Sequence, residues 1–459
     1  MVRLSFLLLL CFLSSALKPD QVIHNDPKIV YLKRFVYKIE YKGNTKTSRK
    51  VLDNHITIKE GDIFDEKKLA ESLEKLIDLG YFLDVNVSIS FANNDKSKII
   101  ITFLVEEKST LKTNLGIGYN EQIGLTGMSN INDNNLFGKG QEGNLGIIYG
   151  KNGHQFNLFW RDPDFLNMPI NLAVMPYYLN QKLWQMNYNK NNQEHTDKSY
   201  EQDRSFKIQR YGFKVPISIQ TAFEPMNLFI SPRFENIKTF DMNKDLSEEL
   251  WFEQGSDKLI TYKIGLRYLT TSIKHSRYPS YVELSVENSS KELKSSYEFQ
   301  RYTLKVSQQI SITNSMYSRV SPRIGLIFGS PPFYEKYWLG GLDSIRGYQS
   351  GWVNDTGEGG TKYWTTGFEL GYVFIENKKI LKRMSIIPFF DIGKVWSTKI
   401  NDITKDVKFG YGIGTTVDLG FTQFYVAPAL NRERIFKLEI GFGKLEENSL
   451  PRGSIVEDY

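Results

Sequence analysis

From Thr110 onward the sequence alternates hydrophobic and polar residues with a period of two. In 111–120, leucine, threonine, isoleucine and tyrosine share one face, while lysine, asparagine and glycine share the other. The same alternation returns in 409–418 and in 436–443. A period of two is typical of β-strands that have one apolar and one polar face. Counting such runs between turn-rich breaks predicts roughly sixteen strands, an even number in the range of single-chain outer-membrane barrels.

Alternation alone does not separate a soluble sandwich from a transmembrane barrel, because strands of both folds have one apolar face. Three features favour a barrel. The strands continue without a helical break, the polar face is rich in glycine and carries single charges, and the apolar face is rich in aromatic residues that suit bilayer interfaces. The sequence therefore predicts a membrane all-β fold, with a transmembrane β-barrel over 109–443 and a charged C-terminal tail over 444–459.

The region 33–107 has a different pattern, in which helical periodicity alternates with short β-type runs. The order β-α-α-β-β is typical of a small α+β domain. The predicted elements are a strand at 35–41, a helix at 48–56, a helix from Asp65 to Gly80, and strands at 85–89 and 99–105.

Composition narrows the class of protein further. The 459 residues are 41% hydrophobic and 14% aromatic, and the mean hydropathy of -0.37 excludes a multi-helix membrane protein but not a barrel. The net charge of +6 is mild, and no clustered basic stripe appears, so we expect no nucleic-acid partner. The polar insert 187–203 is predicted to be an extracellular loop.

The N-terminal segment predicts secretion. Arg3 precedes an apolar run from Phe6 to Leu13, followed by small residues, so residues 1–17 are predicted to be a signal peptide. The only cysteine, Cys11, lies inside that run. A mature chain without it would have no disulfide and no thiol chemistry. The five histidines are scattered, and we expect no metal and no cofactor.

Motifs of enzymes are also lacking in the sequence. No Gly-x-Ser-x-Gly elbow, P-loop or dinucleotide fingerprint is present, and no paired carboxylates lie on a predicted helical platform. The acidic pairs Glu106-Glu107 and Glu446-Glu447 are predicted to be solvated boundary charges. We therefore predict that the protein is not an enzyme.

Two motifs in the N-terminal region resemble a polypeptide-transport-associated (POTRA) domain. The first is Lys59-Glu60-Gly61-Asp62, and the second is Gly80-Tyr81-Phe82 at the end of the second predicted helix. The resemblance implies a single POTRA domain over 33–107.

The rest of the chain resembles the BamA-type surface-antigen barrel. Four short motifs carry this resemblance in the family's order: Asn135 to Gly140, Arg161 to Phe165, Ile345-Arg346-Gly347-Tyr348 and Phe390 to Gly393. The first two resemble periplasm-side turns, and both Asn132–Asn135 and Arg161–Asp164 are predicted to be short turns. The third resembles the signature of the long sixth extracellular loop. The fourth resembles its partner motif on the thirteenth strand.

The resemblance implies a place for Arg346. In this family the sixth loop folds into the lumen, and its arginine contacts acidic residues on the wall. Asp391 and Glu369 share a face with the lumen glycines of their strands, so they are the predicted partners. A planar guanidinium suits bidentate pairing with carboxylates.

The resemblance also implies a function, an insertase or assembly factor for outer-membrane proteins. Its partners would be unfolded outer-membrane or translocated polypeptides, membrane lipid and accessory subunits. Polypeptides would pair with the POTRA edge strand at 85–89. They would leave through a seam between the first and last barrel strands, where the predicted lumen-facing glycines are Gly116, Gly118, Gly441 and Gly443.

Alternatives remain open on the sequence alone. A polypeptide translocator of the same family, used for secretion or organelle import, is the first, and a passive porin is the second. The predicted location is the bacterial outer membrane with the POTRA domain in the periplasm. The alternative location is the outer envelope membrane of an endosymbiotic organelle.

Overall fold

The computed structural model describes most of the chain after residue 33 as two compact units, 1–109 with 137–139, and 110–136 with 140–459. The predicted signal peptide, the insert 187–203 and the tail 444–459 lie outside the described residues. The described residues are 31, 34–92, 95–120, 124–184, 205–221, 226–241, 255–270, 280–342, 344–349, 351, 353, 359–376, 381–397, 402–419 and 423–442.

The N-terminal unit has the predicted order β-α-α-β-β, which confirms the predicted small α+β fold. Its strands form a three-stranded sheet in the order β1-β3-β2, with β1 parallel and β2 antiparallel to β3. The elements are β1 (Phe35–Lys42), α1 (Arg49–His55), α2 (Glu66–Asp78), β2 (Phe82–Ala92) and β3 (Asp95–Glu107).

Local signals explain the bounds of α2. The Asp65 side chain accepts a hydrogen bond from the backbone N–H of Lys67 at 2.8 Å, which satisfies one donor of the first turn. At the other end Gly80 has a φ of +69°, a conformation that glycine adopts without steric cost. Between these ends Leu76 is fully buried in the core of the unit, together with Phe103 of β3. Helical spacing therefore places the apolar face of α2 on the sheet.

The C-terminal unit is one antiparallel sheet whose ladder closes on itself, so that within the described residues each strand lies between two neighbours. The sheet consists of eighteen segments, because two of its sixteen strands are interrupted at Pro216 and at Pro322. Proline has no N–H to donate to a ladder. The predicted sixteen-stranded barrel is confirmed.

The barrel strands, in chain order, are β4 (Leu111–Asn120), β5 (Gly124–Leu136), β6 (Gln141–Gly150), β7 (Gly153–Asp162), β8 (Ile170–Trp184), β9 (Ser205–Lys214), β10 (Ile217–Gln220), β11 (Met226–Phe240), β12 (Gly255–Thr270), β13 (Ser280–Ser289), β14 (Phe299–Ser311), β15 (Met316–Val320), β16 (Arg323–Gly329), β17 (Lys362–Glu376), β18 (Arg383–Trp396), β19 (Lys408–Asp418), β20 (Gln423–Asn431) and β21 (Phe436–Phe442). β9 with β10, and β15 with β16, each form one interrupted strand. Consecutive strands are neighbours, and β21 pairs with β4 at the seam.

The two faces of the barrel wall differ as the alternation predicts. On β17 the large apolar side chains Phe368, Leu370 and Tyr372 are exposed on the outer face. The residues between them face the lumen, and Glu369 is one of these. Separately, none of the helices in the described ranges is long and apolar enough to cross a bilayer.

One predicted turn is wrong. Asn132–Asn135 is not a turn but part of β5, and the chain reverses at 137–140. Asparagine favours turns because its side chain hydrogen-bonds nearby backbone. Here the Asn132 amide donates to Asn134 on the same strand at 2.6 Å, and the preceding Asn130 exchanges hydrogen bonds with Asn144 of β6 at 3.0 and 3.2 Å. Similarly, Arg161 and Asp162 end β7, so only the second half of that predicted turn is outside a strand.

Candidate functional site in the barrel lumen

The segment between β16 and β17, residues 330–361 and here called loop six, folds into the barrel. Its described residues include Phe333, Leu339 and Ile345, which are buried in one apolar cluster with lumen-facing wall residues such as Phe299 and Val395. Two short bridges, Tyr337 with Gly360 and Leu339 with Val353, hold the limbs of the loop together. Loop six is therefore packed against the inner wall.

The Arg346 side chain of loop six contacts four side chains of the barrel wall. Its Nε and Nη2 donate to the two carboxylate oxygens of Asp391 at 2.6 and 2.7 Å, a bidentate pair. Its Nη1 donates to Glu369 at 2.8 Å and to the hydroxyl of Tyr425 at 2.9 Å. The guanidinium carbon lies 3.7 Å from the ring centre of Phe389. Arg346 is 6% exposed and Asp391 2%.

Glycines on the two neighbouring strands make room for this pair. Asp391 on β18 lies opposite Gly367 of β17 and Gly410 of β19. A Cβ on Gly410 would lie 1.8 Å from the backbone oxygen of Arg346, and one on Gly367 would lie 3.0 Å from an Asp391 oxygen. Any larger residue at position 410 would displace the loop. The sequence does not single out Gly410 as a site residue, although its place among the lumen-face glycines at 410, 412 and 414 is a usable signal.

Of the other three motif residues, one is buried in the apolar cluster and two are hydrogen-bonded to the last strand of the barrel. Ile345 is fully buried in the apolar cluster. Gly347 has a φ of +91°, and its N–H donates to Glu439 of β21 at 3.1 Å. The backbone oxygen of Tyr348 accepts from the Nζ of Lys437 of β21 at 3.0 Å, while its hydroxyl donates to Glu433. Loop six is thus hydrogen-bonded to one of the two seam strands.

A second ionic contact anchors the other limb of loop six, and the sequence did not predict it. Glu335 is a loop carboxylate whose side chain is completely buried. It accepts hydrogen bonds from Arg210 of β9 at 2.8 Å, from Arg233 of β11 at 3.3 Å and from Arg301 of β14 at 2.6 Å. Three strands therefore converge on one loop side chain.

Two wall glutamates complete this second site. Glu235 accepts from Arg210 at 2.6 and 2.7 Å, and Glu287 accepts from Arg233 and from Arg301, both at 2.8 Å. With Glu335 the site contains three arginines and three glutamates, all with side chains at most 10% exposed. A buried charge is costly unless it is paired and hydrogen-bonded, and this set satisfies that requirement only when complete.

The predicted POTRA residues lie in turns and in the core of the N-terminal unit. Gly61 has a φ of +91° in the turn before α2, and its N–H donates to the backbone of β1. Asp62, in the same turn, accepts from the Nζ of Lys68 at 3.0 Å. Gly80 ends α2, and Tyr81 and Phe82 are buried in the core. These residues therefore shape the turns and the core of the domain.

Glu107 differs from the prediction of a solvated boundary charge. Its carboxylate accepts hydrogen bonds from the backbone N–H groups of Thr45, Lys46 and Thr47 at 2.6 to 2.9 Å, and from the Thr45 hydroxyl. Partial burial disfavours the charged form, but these donors outweigh it and lower the pKa of Glu107 to about 2. The carboxylate thus fixes the turn after β1.

The predicted seam residues lie on the strands that close the barrel. Gly116 and Gly118 are in β4, where they pair with Met128 and Thr126 of β5, and Gly441 is in β21. Gly443 lies outside the described residues. In the part of the chain that the structure describes, no group of three or more histidine, cysteine, aspartate or glutamate side chains is arranged to hold a metal ion.

A closed sixteen-stranded barrel with an apolar outer face, an inserted sixth loop and a separate β-α-α-β-β domain defines a class of bacterial outer-membrane proteins. Comparison with known proteins agrees. Residues 135–443 match the Omp85 superfamily domain, and residues 35–108 match the surface antigen variable number repeat, a POTRA model. The chain belongs to the Omp85 superfamily. It is located in the bacterial outer membrane, and the assembly factors of this family are not enzymes.

The chain is similar to outer membrane protein assembly factors and, in fold, to CdiB. The outer membrane protein assembly factor BamA of Neisseria meningitidis is 24% identical over 434 residues, which are 88% of this chain and 52% of the relative. BamA from Haemophilus ducreyi lacking POTRA domains 1–3 superposes with a TM-score of 0.68 at 17% identity, covering 89% and 84% of the two chains. CdiB from Escherichia coli superposes with a TM-score of 0.61 at 11% identity, and the superposition covers 90% of this chain and 76% of CdiB. The chain spans about half the length of the curated relatives it matches.

Proposed function

We propose that the protein is an outer-membrane assembly factor that receives unfolded β-barrel clients and inserts them through the seam between β4 and β21. The observation that supports this most directly is the contact of loop six with β21, through Gly347 to Glu439 and through Lys437 to Tyr348. These hydrogen bonds attach loop six to β21, which is one of the two strands that must separate when the seam opens.

Clients would first bind the edge strand of the POTRA domain. β2 is at one edge of the three-stranded sheet, where an added strand could pair with its outer side. The client would replace two existing hydrogen bonds on β2, from the Tyr31 hydroxyl to the Ile89 oxygen at 3.3 Å and from the Val85 N–H to Asp84 at 2.9 Å. Val85, Val87 and Ile89 pack against the core, while Asn86 and Ser88 are exposed. Main-chain pairing needs no particular client sequence, which suits a receptor for many barrels.

The seam strands are suited to opening. Within the described residues, β21 has 7 residues and β4 has 10, whereas β12 has 16 and β17 has 15. A shorter pair of strands forms fewer ladder hydrogen bonds. Gly116 and Gly441 contribute no side chain to packing at the seam. A client strand that pairs with the opened edge keeps its backbone polar groups satisfied while it enters the bilayer.

The test is to lock the seam. Cysteines are introduced pairwise along β4 and β21, oxidised, and the protein is assayed in proteoliposomes for insertion of an unfolded client barrel. We expect locked protein to lose insertion and reductant to restore it. A matched control places a cysteine pair at Leu266 and Leu284, which face each other across β12 and β13 away from the seam, and should leave insertion intact. Full insertion by the locked seam contradicts the proposal.

The second candidate is a translocator that passes one polypeptide through the lumen. The observation that favours it is the fold similarity to CdiB. The two functions separate in the same proteoliposomes, because a translocator would deliver a soluble polypeptide across the bilayer. Accessory subunits would be identified by co-purification of the full chain from membranes.

A further inference from the structure

The outer face of one part of the barrel changes from apolar to basic towards the end where loop six lies. β9 and β12 begin at this end, and β8 and β11 end there, since consecutive strands alternate in direction. Nearer the middle of the wall, Tyr211, Phe234 and Tyr262 are exposed on the outer face, as lipid-facing aromatic residues should be.

Three lysines, here called the lysine row, follow these apolar residues on adjacent strands: Lys207, Lys238 and Lys258. Each lies next to a residue that faces the lumen and is buried, namely Ile208, Ile237 and Leu259, so alternation places the lysines on the outer face. Lys238 pairs in register with Gln209 of β9 and with Ser256 of β12, so Lys207 and Lys258 are each offset from it by two residues and the row runs diagonally across three strands.

Little in the described structure neutralises this row. The Nζ of Lys207 is 2.6 Å from the carboxylate of Asp241, but both side chains are largely exposed, at 44% and 58%. Exposed pairs of this kind are weak, so Lys207 can exchange its partner. Within the described residues, no carboxylate lies within 4.0 Å of the Nζ of Lys238 or Lys258, because Glu235 and Asp257 on the same strands are turned to the lumen side and pair there.

The distance of the lysine row from the apolar part of the wall indicates what the row binds. Lys258 is two residues beyond the outward-facing Ile260, so its Cα is about 7 Å further along the strand. The polar layer on each side of a bilayer core is about 5 to 8 Å thick. Lysine can lie along apolar surface with its ammonium in the polar layer, where lipid phosphates are. On each strand an outward-facing aromatic residue lies four positions below the lysine, with Gln209, Asn236 or Ile260 between them, and the Nζ of Lys207 lies 5.8 Å from the ring centre of Phe240. Aromatic and basic residues together on the outer face are typical of a bilayer interface and are not required at a solvated surface.

We propose that Lys207, Lys238 and Lys258 bind phosphate groups of anionic lipid headgroups in the leaflet at the loop-six end. Counted from β4, β11 and β12 are the seventh and eighth of the sixteen strands, so the row lies across the ring from the β21–β4 seam. Lipid bound there would hold the wall that faces the seam. This inference does not depend on the proposed insertase activity.

The test measures lipid retention by the full chain. The triple variant Lys207→Gln, Lys238→Gln, Lys258→Gln is reconstituted in vesicles of phosphatidylcholine with phosphatidylglycerol and extracted in mild detergent, and the retained lipids are counted by native mass spectrometry. Each lysine near an anionic surface contributes about fivefold in affinity. We expect retention of phosphatidylglycerol at least tenfold below that of the natural protein, and equal behaviour in phosphatidylcholine alone.

Two controls make the result specific. Lys67→Gln, Lys75→Gln, Lys96→Gln removes the same charge from exposed positions of the N-terminal unit and should retain lipid normally. Lys→Arg at the three row positions keeps the positive charge, and this variant should also retain lipid normally. That result would exclude misfolding as the cause of lipid loss in the Gln variant. Natural retention by the Gln variant overturns the proposal. Displacement of the lipid by millimolar inorganic phosphate also overturns it, since the row would then be a site for free phosphate.

Discussion

Loop six has two anchors in the lumen, and they are opposite in charge. At one, a loop arginine, Arg346, contacts the wall carboxylates of Asp391 and Glu369. At the other, the loop carboxylate of Glu335 contacts three wall arginines, among them Arg301. The first lies on β17 and β18, and the second on β9, β11 and β14.

The difference matters because the groups left behind behave differently when an anchor is broken. A buried carboxylate without its arginine can take up a proton and become neutral, but arginine remains charged at any pH of interest. Both anchors hold the loop by ion pairs. The loss of stability when an anchor is broken should nevertheless differ between them, both in size and in its dependence on pH.

The largest effect is expected for Glu335→Gln. It leaves three arginines with two glutamates and an excess charge that cannot be lost, at a cost of about 4 to 5 kcal/mol. The measurement is the urea concentration at which the barrel loses its compact mobility in a semi-native gel. Glu292→Gln, at an exposed position between β13 and β14, is the matched control and should unfold like the natural protein. Equal midpoints for both variants would contradict a role for Glu335 as an anchor.

Arg346→Ala is expected to cost about 3 kcal/mol at neutral pH, since Asp391 is left buried without its partner. Lowering the pH to about 5 should reduce this difference from the natural protein, because the orphaned carboxylate can be protonated. No such relief is expected for Glu335→Gln. The same gel midpoints, measured at both pH values, test this prediction, and an unchanged Arg346→Ala difference would argue against it.

Gly410→Ala should cost about 2 kcal/mol through steric overlap with the backbone oxygen of Arg346. The charges of the Arg346 anchor are unchanged in this variant, so it separates the fit of the loop from ion pairing. Gly127→Ala, also in a barrel strand, has no atom within 4 Å of the added Cβ and is the control. Protease cleavage within loop six reports whether the loop has left the wall; protection equal to that of the control would refute the prediction.

The smallest effect is expected where a carboxylate is held by backbone N–H groups and no arginine. Glu107→Gln should cost about 1 to 2 kcal/mol of local stability in the turn 45–47. The folded pKa of about 2 is below the ordinary value of 4.5, so the stabilisation is complete above about pH 4.5 and is lost as the pH falls towards 2. Hydrogen exchange of the Lys46 and Thr47 amides should therefore differ between variant and natural protein at pH 7, and converge in acid. A pH-independent difference would show that the charge is not responsible.

Much of the architecture was predictable because its signals are local. Period-two alternation predicted the barrel and the face on which Glu369 and Asp391 lie, and helical spacing with Asp65 and Gly80 predicted α2. The predicted roles of the motif and seam residues remain proposals, although Arg346 lies against both predicted carboxylates.

What the sequence by itself determined is therefore which residues form strands and which face of the wall each side chain is on, since both follow from neighbours along the chain. Only the tertiary structure decided which lumen residues meet. Glu335 is 125 positions from Arg210 and 102 from Arg233, and their contact depends on strand register and on the path of loop six. Alternation gives a side chain its face but neither its height on the wall nor its partner across the lumen, which is why the second anchor and the need for glycine at 410 became visible only in the folded barrel.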